Sequence, residues 1–175
     1  VKYGVNKGNN KMSDYQKNYW RELTQIKEHG YYINEYINQT QHISRFINCF
    51  LAVTSSSSIG AWIIWEKYAF IWGAIIAVSQ VLNVIKQFLP YESRLNHLPD
   101  LKNELDFLSL DMEKNWFNVA EGKWTNRKIH NKYIEIKTKK AEISQKYLSR
   151  KPIPDKRMLL FLAKEKSRNY FKNFS

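Results

Sequence analysis

A single cysteine, Cys49, stands among 175 residues, so an intramolecular disulfide and a cysteine-built zinc cage are both closed to this chain. Glycine and proline are scarce, at 6 and 4, which removes the turn-rich chemistry of an all-β fold. No segment alternates apolar and polar residues with a period of two, and no Asn-Gly hairpin signal occurs. Catalytic signatures are missing as well: there is no P-loop, no GxGxxG and no GxSxG. His29, His42, His97 and His130 are isolated from one another, without the i, i+4 pairing or cysteine companions of a metal site. Glu22, Glu28, Glu35, Glu104, Asp106, Asp111 and Glu113 have the spacing of solvated helix faces. No enzyme activity, metal or cofactor is expected.

Acidic residues are also in short supply: 16 against 28 lysines and arginines, a formal net charge of +12. That excess is local. Residues 1–45 carry a net +3, 46–85 a net 0 and 86–113 a net −3, so 114–175 alone holds a net +12, from 17 basic and 5 acidic residues. Aromatic and aliphatic residues continue through the basic third, which argues against a merely disordered tail.

Long uncharged runs are present. Between Arg45 and Glu66 lies FINCFLAVTSSSSIGAWIIW, and between Lys67 and Lys86 lies YAFIWGAIIAVSQVLNVI. As helices they would be roughly 30 and 27 Å long, near the thickness of a bilayer core. The reading predicts a transmembrane hairpin over 46–85, with Trp62, Trp65, Tyr68 and Trp72 as an interfacial belt at its turn. Two buried helices of an all-α core are the plainer alternative. The 45 residues before the first run do not read as a cleaved signal peptide. The positive-inside rule then predicts both termini in the cytoplasm, which in a bacterium would put the hairpin in the inner (cell) membrane. Cys49, within the first run, is expected to be an apolar, unreactive thiol.

Elsewhere the apolar period is helical. Tyr19, Leu23, Ile26, Gly30, Ile33 and Ile37 form a seam spaced by four and three, with Ser13 or Asp14 as its cap. Pro90 marks the exit from the second run and Pro99 restarts a helix carrying Leu101, Leu105, Leu108, Met112, Trp116 and Val119. Gly122 breaks it, and Thr125 or Asn126 caps the next, which carries Ile129, Tyr133, Ile136, Lys140, Ile143 and Tyr147. KPIPDK, residues 151–156, interrupts this before a short helix ending near Phe171. The expected class is all-α: a 1–45 N-terminal cytoplasmic helix, the 46–85 hairpin, an 86–150 helical bundle and a 151–175 linker with a basic helix. The seams can be used within one chain or between chains, and a homo-oligomer is favoured.

Two groups of residues stand out as sites. Asn48, Ser55, Ser58, Ser79, Asn83 and Lys86 place polar groups inside the uncharged runs, where they either line a water-filled path in an oligomer or allow close helix packing. Lys123, Trp124, Arg127, Lys128, Lys132, Lys137, Lys139, Lys140, Arg150 and Lys151 interleave cations with aromatics. That combination suits phosphates and bases, anionic lipid headgroups, or only water.

The helix before Arg45, the hairpin with its Trp65-Glu66-Lys67 turn and the long helices after Pro90 together resemble the SLATT group of bacterial two-transmembrane effectors, over about 45–148. The Hailong type of defence effector is similar in layout. The resemblance implies a homo-oligomeric, for example tetrameric, ion channel in the lipid bilayer. A nucleotide second messenger or a single-stranded oligonucleotide, DNA included, made by a partner nucleotidyltransferase would gate it. Depolarisation and growth arrest would serve abortive infection in antiviral defence. The other reading of the residues is a non-conducting membrane anchor or assembly protein that holds a cytoplasmic partner through its helical seams.

Overall fold

A computed structural model describes residues 12–57, 69–88, 95–149 and 152–172, without the side chains of 56, 57, 69, 87 and 88. Among these residues the chain forms five helices and no strand: α1 (Asp14–Ser57), α2 (Ala69–Phe88), α3 (Leu98–Ala120), α4 (Asn126–Leu148) and α5 (Arg157–Phe171). Two compact units result, one of Val1–Ile33 with Asp100–Ser175 and one of Asn34–Pro99. The division falls inside α1, and the boundaries expected at 45 and 85 lie within α1 and α2.

The first unit is a four-helix bundle of the N-terminal part of α1 with α3, α4 and α5. Its helices start and stop where local chemistry dictates. Ser13 and Gln16 form a reciprocal capping box: the Ser13 amide donates to Gln16 Oε1 at 2.7 Å, and the Gln16 amide donates to Ser13 Oγ at 3.3 Å. Thr125 Oγ1 accepts from the Lys128 amide at the start of α4. Between them, α3 ends at Gly122, whose φ of 69° belongs to the left-handed region. The Gly122 amide donates to the Val119 carbonyl and the Lys123 amide to the Asn118 carbonyl, a Schellman close that favours glycine.

The seams read from the sequence are spent inside this bundle. Tyr19, Leu23, Ile26 and Ile33 from α1, Leu101, Leu105, Leu108, Met112 and Val119 from α3, and Ile129 and Ile136 from α4 are all buried. Leu159, Ala163 and Phe171 add the face of α5. At Gly30 an added Cβ would stand 3.2 Å from Asp106 Oδ1, so the interruption in the α1 seam is where α3 comes close.

The second unit contains the end of α1 and all of α2. Thr40 and Thr54 are buried and Ser44, Ile47 and Leu51 half-buried, giving α1 one shielded line. On α2 the shielded line is Trp72, Ile75, Ile76, Ser79, Leu82 and Lys86. Thr54 Oγ1 donates to the Phe50 carbonyl at 3.0 Å and Ser79 Oγ to the Ile76 carbonyl at 2.8 Å. Their hydroxyls are thus satisfied within their own helices and can be packed.

Two expectations are corrected here. The 46–85 hairpin was expected to span an inner membrane twice, with both termini cytoplasmic; among the described residues no helix is long and apolar enough to cross a membrane. The apolar run of α1 is broken by Asn48, Thr54 and Ser55, and that of α2 by Ser79, Gln80, Asn83 and Lys86 in its second half. Cys49, expected in apolar surroundings, is exposed. Trp62, Trp65, Glu66, Lys67, Tyr68 and Pro90 lie outside the described residues.

Candidate functional site

Of the six polar residues of the hairpin, the five that are described do not share one shielded surface. Ser79 is buried and Lys86 half-buried on the shielded line of α2, whereas Asn83 is exposed. Asn48 and Ser55 are exposed on α1, and Ser55 Oγ donates to the Ala52 carbonyl at 3.0 Å. Ser58 lies outside the described residues.

The other face of α2 is apolar. Ile71, Val78, Val81 and Ile85 are 53, 53, 56 and 43% exposed, and Ala74 is exposed among them. Their spacing of three, four, three and four is a heptad seam turned outward. Phe70 and Val84 flank it, at 90 and 56% exposure.

The basic residues of α4 are largely committed within the bundle. Lys140 Nζ reaches Glu22 Oε1 at 2.6 Å, and Lys132 Nζ lies between Asp111 Oδ2 (3.1 Å) and Glu135 Oε1 (3.0 Å). Lys139 pairs with the same Glu135 oxygen at 2.8 Å, and Lys123, before α4, pairs with Glu121 at 2.5 Å. Burial lowers Lys132, but the hydrogen bonds to Glu135 and Asp111 outweigh it and hold the ammonium above its ordinary value. Lys128 lies 4.3 Å from the centre of the half-buried Trp124 ring and Lys137 5.4 Å from that of Tyr133, while Arg127 is exposed. Nine residues separate Lys128 from Lys137, about half a turn out of phase, so these cations leave α4 on opposite flanks. Arg150 and Lys151 lie outside the described residues.

A more convergent arrangement lies between α1 and α5, where the sequence reading had marked nothing. Trp20, Thr24 and Glu28 on α1, and Lys164 and Arg168 on α5 with Lys172 at its C-cap, each recur every four residues, and together they line a groove with Ser167 and Phe171. Its volume is about 430 Å³. Three cations face it against one carboxylate. Neither Lys164 nor Arg168 makes an ion pair with the described residues. Ser167 is 1% exposed, and its Oγ is the one buried side-chain polar atom without a hydrogen-bond partner among the described residues. Such a hydroxyl costs about 1–3 kcal/mol of lost hydration. The signal for this groove was available in the i, i+4, i+8 spacing of Lys164, Arg168 and Lys172.

Its walls are braced. Trp20 packs at 4.7 Å on Trp116 and at 4.9 Å edge-on to Phe171. Next to Phe171, Tyr170 donates its hydroxyl to Glu113 Oε2 at 2.8 Å, and Lys27 donates to Glu113 Oε1 at 3.0 Å while lying 4.0 Å from the Tyr170 ring centre. Burial and then the Glu113 hydrogen bond raise the Tyr170 phenol above its ordinary value. A second cavity of about 510 Å³ lies between α3 and α4. It balances Lys139 and Lys146 against Glu104, Asp111 and Glu142, and so has no comparable pull on an anion. Among the described residues no three His, Cys, Asp or Glu side chains are grouped to hold a metal ion. No family model, curated protein or solved structure matches this chain, and nothing among these comparisons identifies a SLATT-like protein.

Proposed function

We propose that this chain is a self-assembling helical protein whose copies associate through the hairpin unit. The observation that carries this reading is the outward seam Ile71, Ala74, Val78, Val81 and Ile85. A heptad of apolar, mostly β-branched residues is the pattern by which helices of separate chains pair, and exposed apolar surface of this extent marks an interaction face. The seam suits a second copy of itself. No charged residue occurs on α2 from Ala69 to Ile85, so identical faces meet without repulsion, and no charge pattern selects a different partner. The seams of α1, α3 and α4 are already buried within one chain, and among the described helices α2 exposes the most large apolar residues.

A phosphate-bearing trigger, the other half of the expected effector, needs convergent cations, and α4 divides its own between two flanks. Sedimentation velocity on the whole chain tests the assembly. The expected result is a discrete oligomer for the native sequence and a monomer for Val78→Glu/Val81→Glu with unchanged helical circular dichroism. A native chain that stays monomeric at about 100 µM, well above the micromolar Kd expected of a modest interface, overturns the proposal. An oligomer untouched by the double substitution does so too.

A further inference from the structure

We infer that the groove between α1 and α5 is a binding site for a small organic phosphate carrying a planar ring, of the nucleoside monophosphate class. The inference does not depend on self-assembly. Each part of such a ligand has a counterpart in the groove. Lys164 and Arg168 on α5 and Lys172 at its C-cap bring three cations to the groove, opposite a single carboxylate, Glu28. Lys164 and Arg168 make no ion pair with the described residues, and two such cations match the charge of a phosphate monoester near neutral pH. Arg168 adds a planar fork suited to two phosphate oxygens at once.

Ser167 gives the second, independent observation. A buried hydroxyl in a helix ordinarily returns its proton to a backbone carbonyl one turn earlier, as Thr24, Thr40 and Thr54 do here. Ser167 does not, and it lines the groove together with Lys164 and Arg168. A phosphate or ribose oxygen would supply its missing partner.

The ring requirement comes from Trp20, half-buried in the opposite wall. Its indole is fixed by Trp116 and Phe171, so it offers an immobilised aromatic surface at little entropic cost to a stacking base. Bare phosphate would use the cations and leave this surface idle. A volume of about 430 Å³ lies within the range of small-ligand sites. Because α5 is tied to Glu113 through Tyr170, both walls are set before a ligand arrives, which favours affinity.

Isothermal titration calorimetry of the whole chain with AMP, adenosine and inorganic phosphate provides the test. AMP is expected to bind at least tenfold more tightly than either fragment. Arg168→Ala and Lys164→Ala, both at exposed positions, should each weaken AMP at least fivefold with helical content unchanged. Ser167→Ala should weaken AMP about threefold while leaving the thermal midpoint equal or higher, because it removes an unpartnered buried hydroxyl. Val78→Glu/Val81→Glu should bind AMP normally, so loss of assembly and loss of this site are separable. Absence of AMP binding at millimolar concentration overturns the inference, as does phosphate binding as tightly as AMP or AMP affinity unmoved by Arg168→Ala.

Discussion

Glu113 gathers donors from three helices: Lys27 on α1, Ser109 on its own α3 and Tyr170 on α5. Lys27 and Glu113 have side chains only 12 and 11% exposed, so removing one partner strands the other away from water. Glu113→Ala is expected to destabilise the bundle by about 3 kcal/mol, whereas Lys27→Met/Glu113→Leu recovers most of that loss; urea unfolding compares the two. At the bundle surface the carboxylates titrate in a defined sense. Hydrogen bonds from Lys146 and then Tyr147 hold Glu104 below the ordinary carboxylate value, and Lys139 with Lys132 does the same for Glu135. A lowered folded-state value means that their stabilising contribution is complete above about pH 4.3 and is lost as the pH falls through the folded value. Glu104→Gln/Glu135→Gln should therefore flatten the acid limb of a stability profile between about pH 5 and 3 and leave the neutral region's slope unchanged. Lys27 has the opposite sense: burial pulls it down, the Glu113 hydrogen bond and charge raise it further, and its contribution fades only as the pH rises through its elevated value. The pairings between helices were not legible in the sequence, because Lys140 and Glu22, or Lys27 and Glu113, are distant along the chain and meet only after the helices pack.

At the scale of elements the sequence was far more legible. The seams of α1, α3 and α4, the Ser13 and Thr125 caps, the stop at Gly122 and the terminal helix all follow from periodicity and from local hydrogen-bonding chemistry, which act within a few residues. Gly122 makes the point testable. Its φ of 69° suits glycine, and nothing lies within 4 Å of an added Cβ, so backbone strain is the only cost of a side chain there. Gly122→Ala is expected to lower the unfolding free energy by about 1 kcal/mol, read from a urea midpoint with an unchanged slope. The hairpin was the harder element. On α2 both the shielded line and the outward seam are apolar, and a helix apolar on two faces looks in sequence like one apolar all round. Ser79 was open to pore lining or to packing in the sequence, and which polar residue faced inward needed the packed helices themselves.

For the whole molecule, the net charge of +12 held by residues 114–175 is not available as a block. Lys132, Lys139, Lys140 and Lys146 are joined to Asp111, Glu135, Glu22 and Glu104, and Lys128 and Lys137 point from opposite flanks of α4. The groove of α5 gathers three cations at one place. The salt dependence of binding to a single strand distinguishes a diffuse cationic surface from this local arrangement, since log affinity falls with log salt by about 0.7 per phosphate neutralised. Twelve charges acting together would give a slope near −8, whereas three give about −2. Fluorescence anisotropy of a labelled single-stranded oligonucleotide, titrated between about 50 and 300 mM salt, is expected to yield the shallow slope. Arg168→Ala should then reduce its magnitude by about 0.7, one phosphate's share, while Lys140→Ala should leave the slope unchanged, because that ammonium is already held by Glu22 inside the bundle.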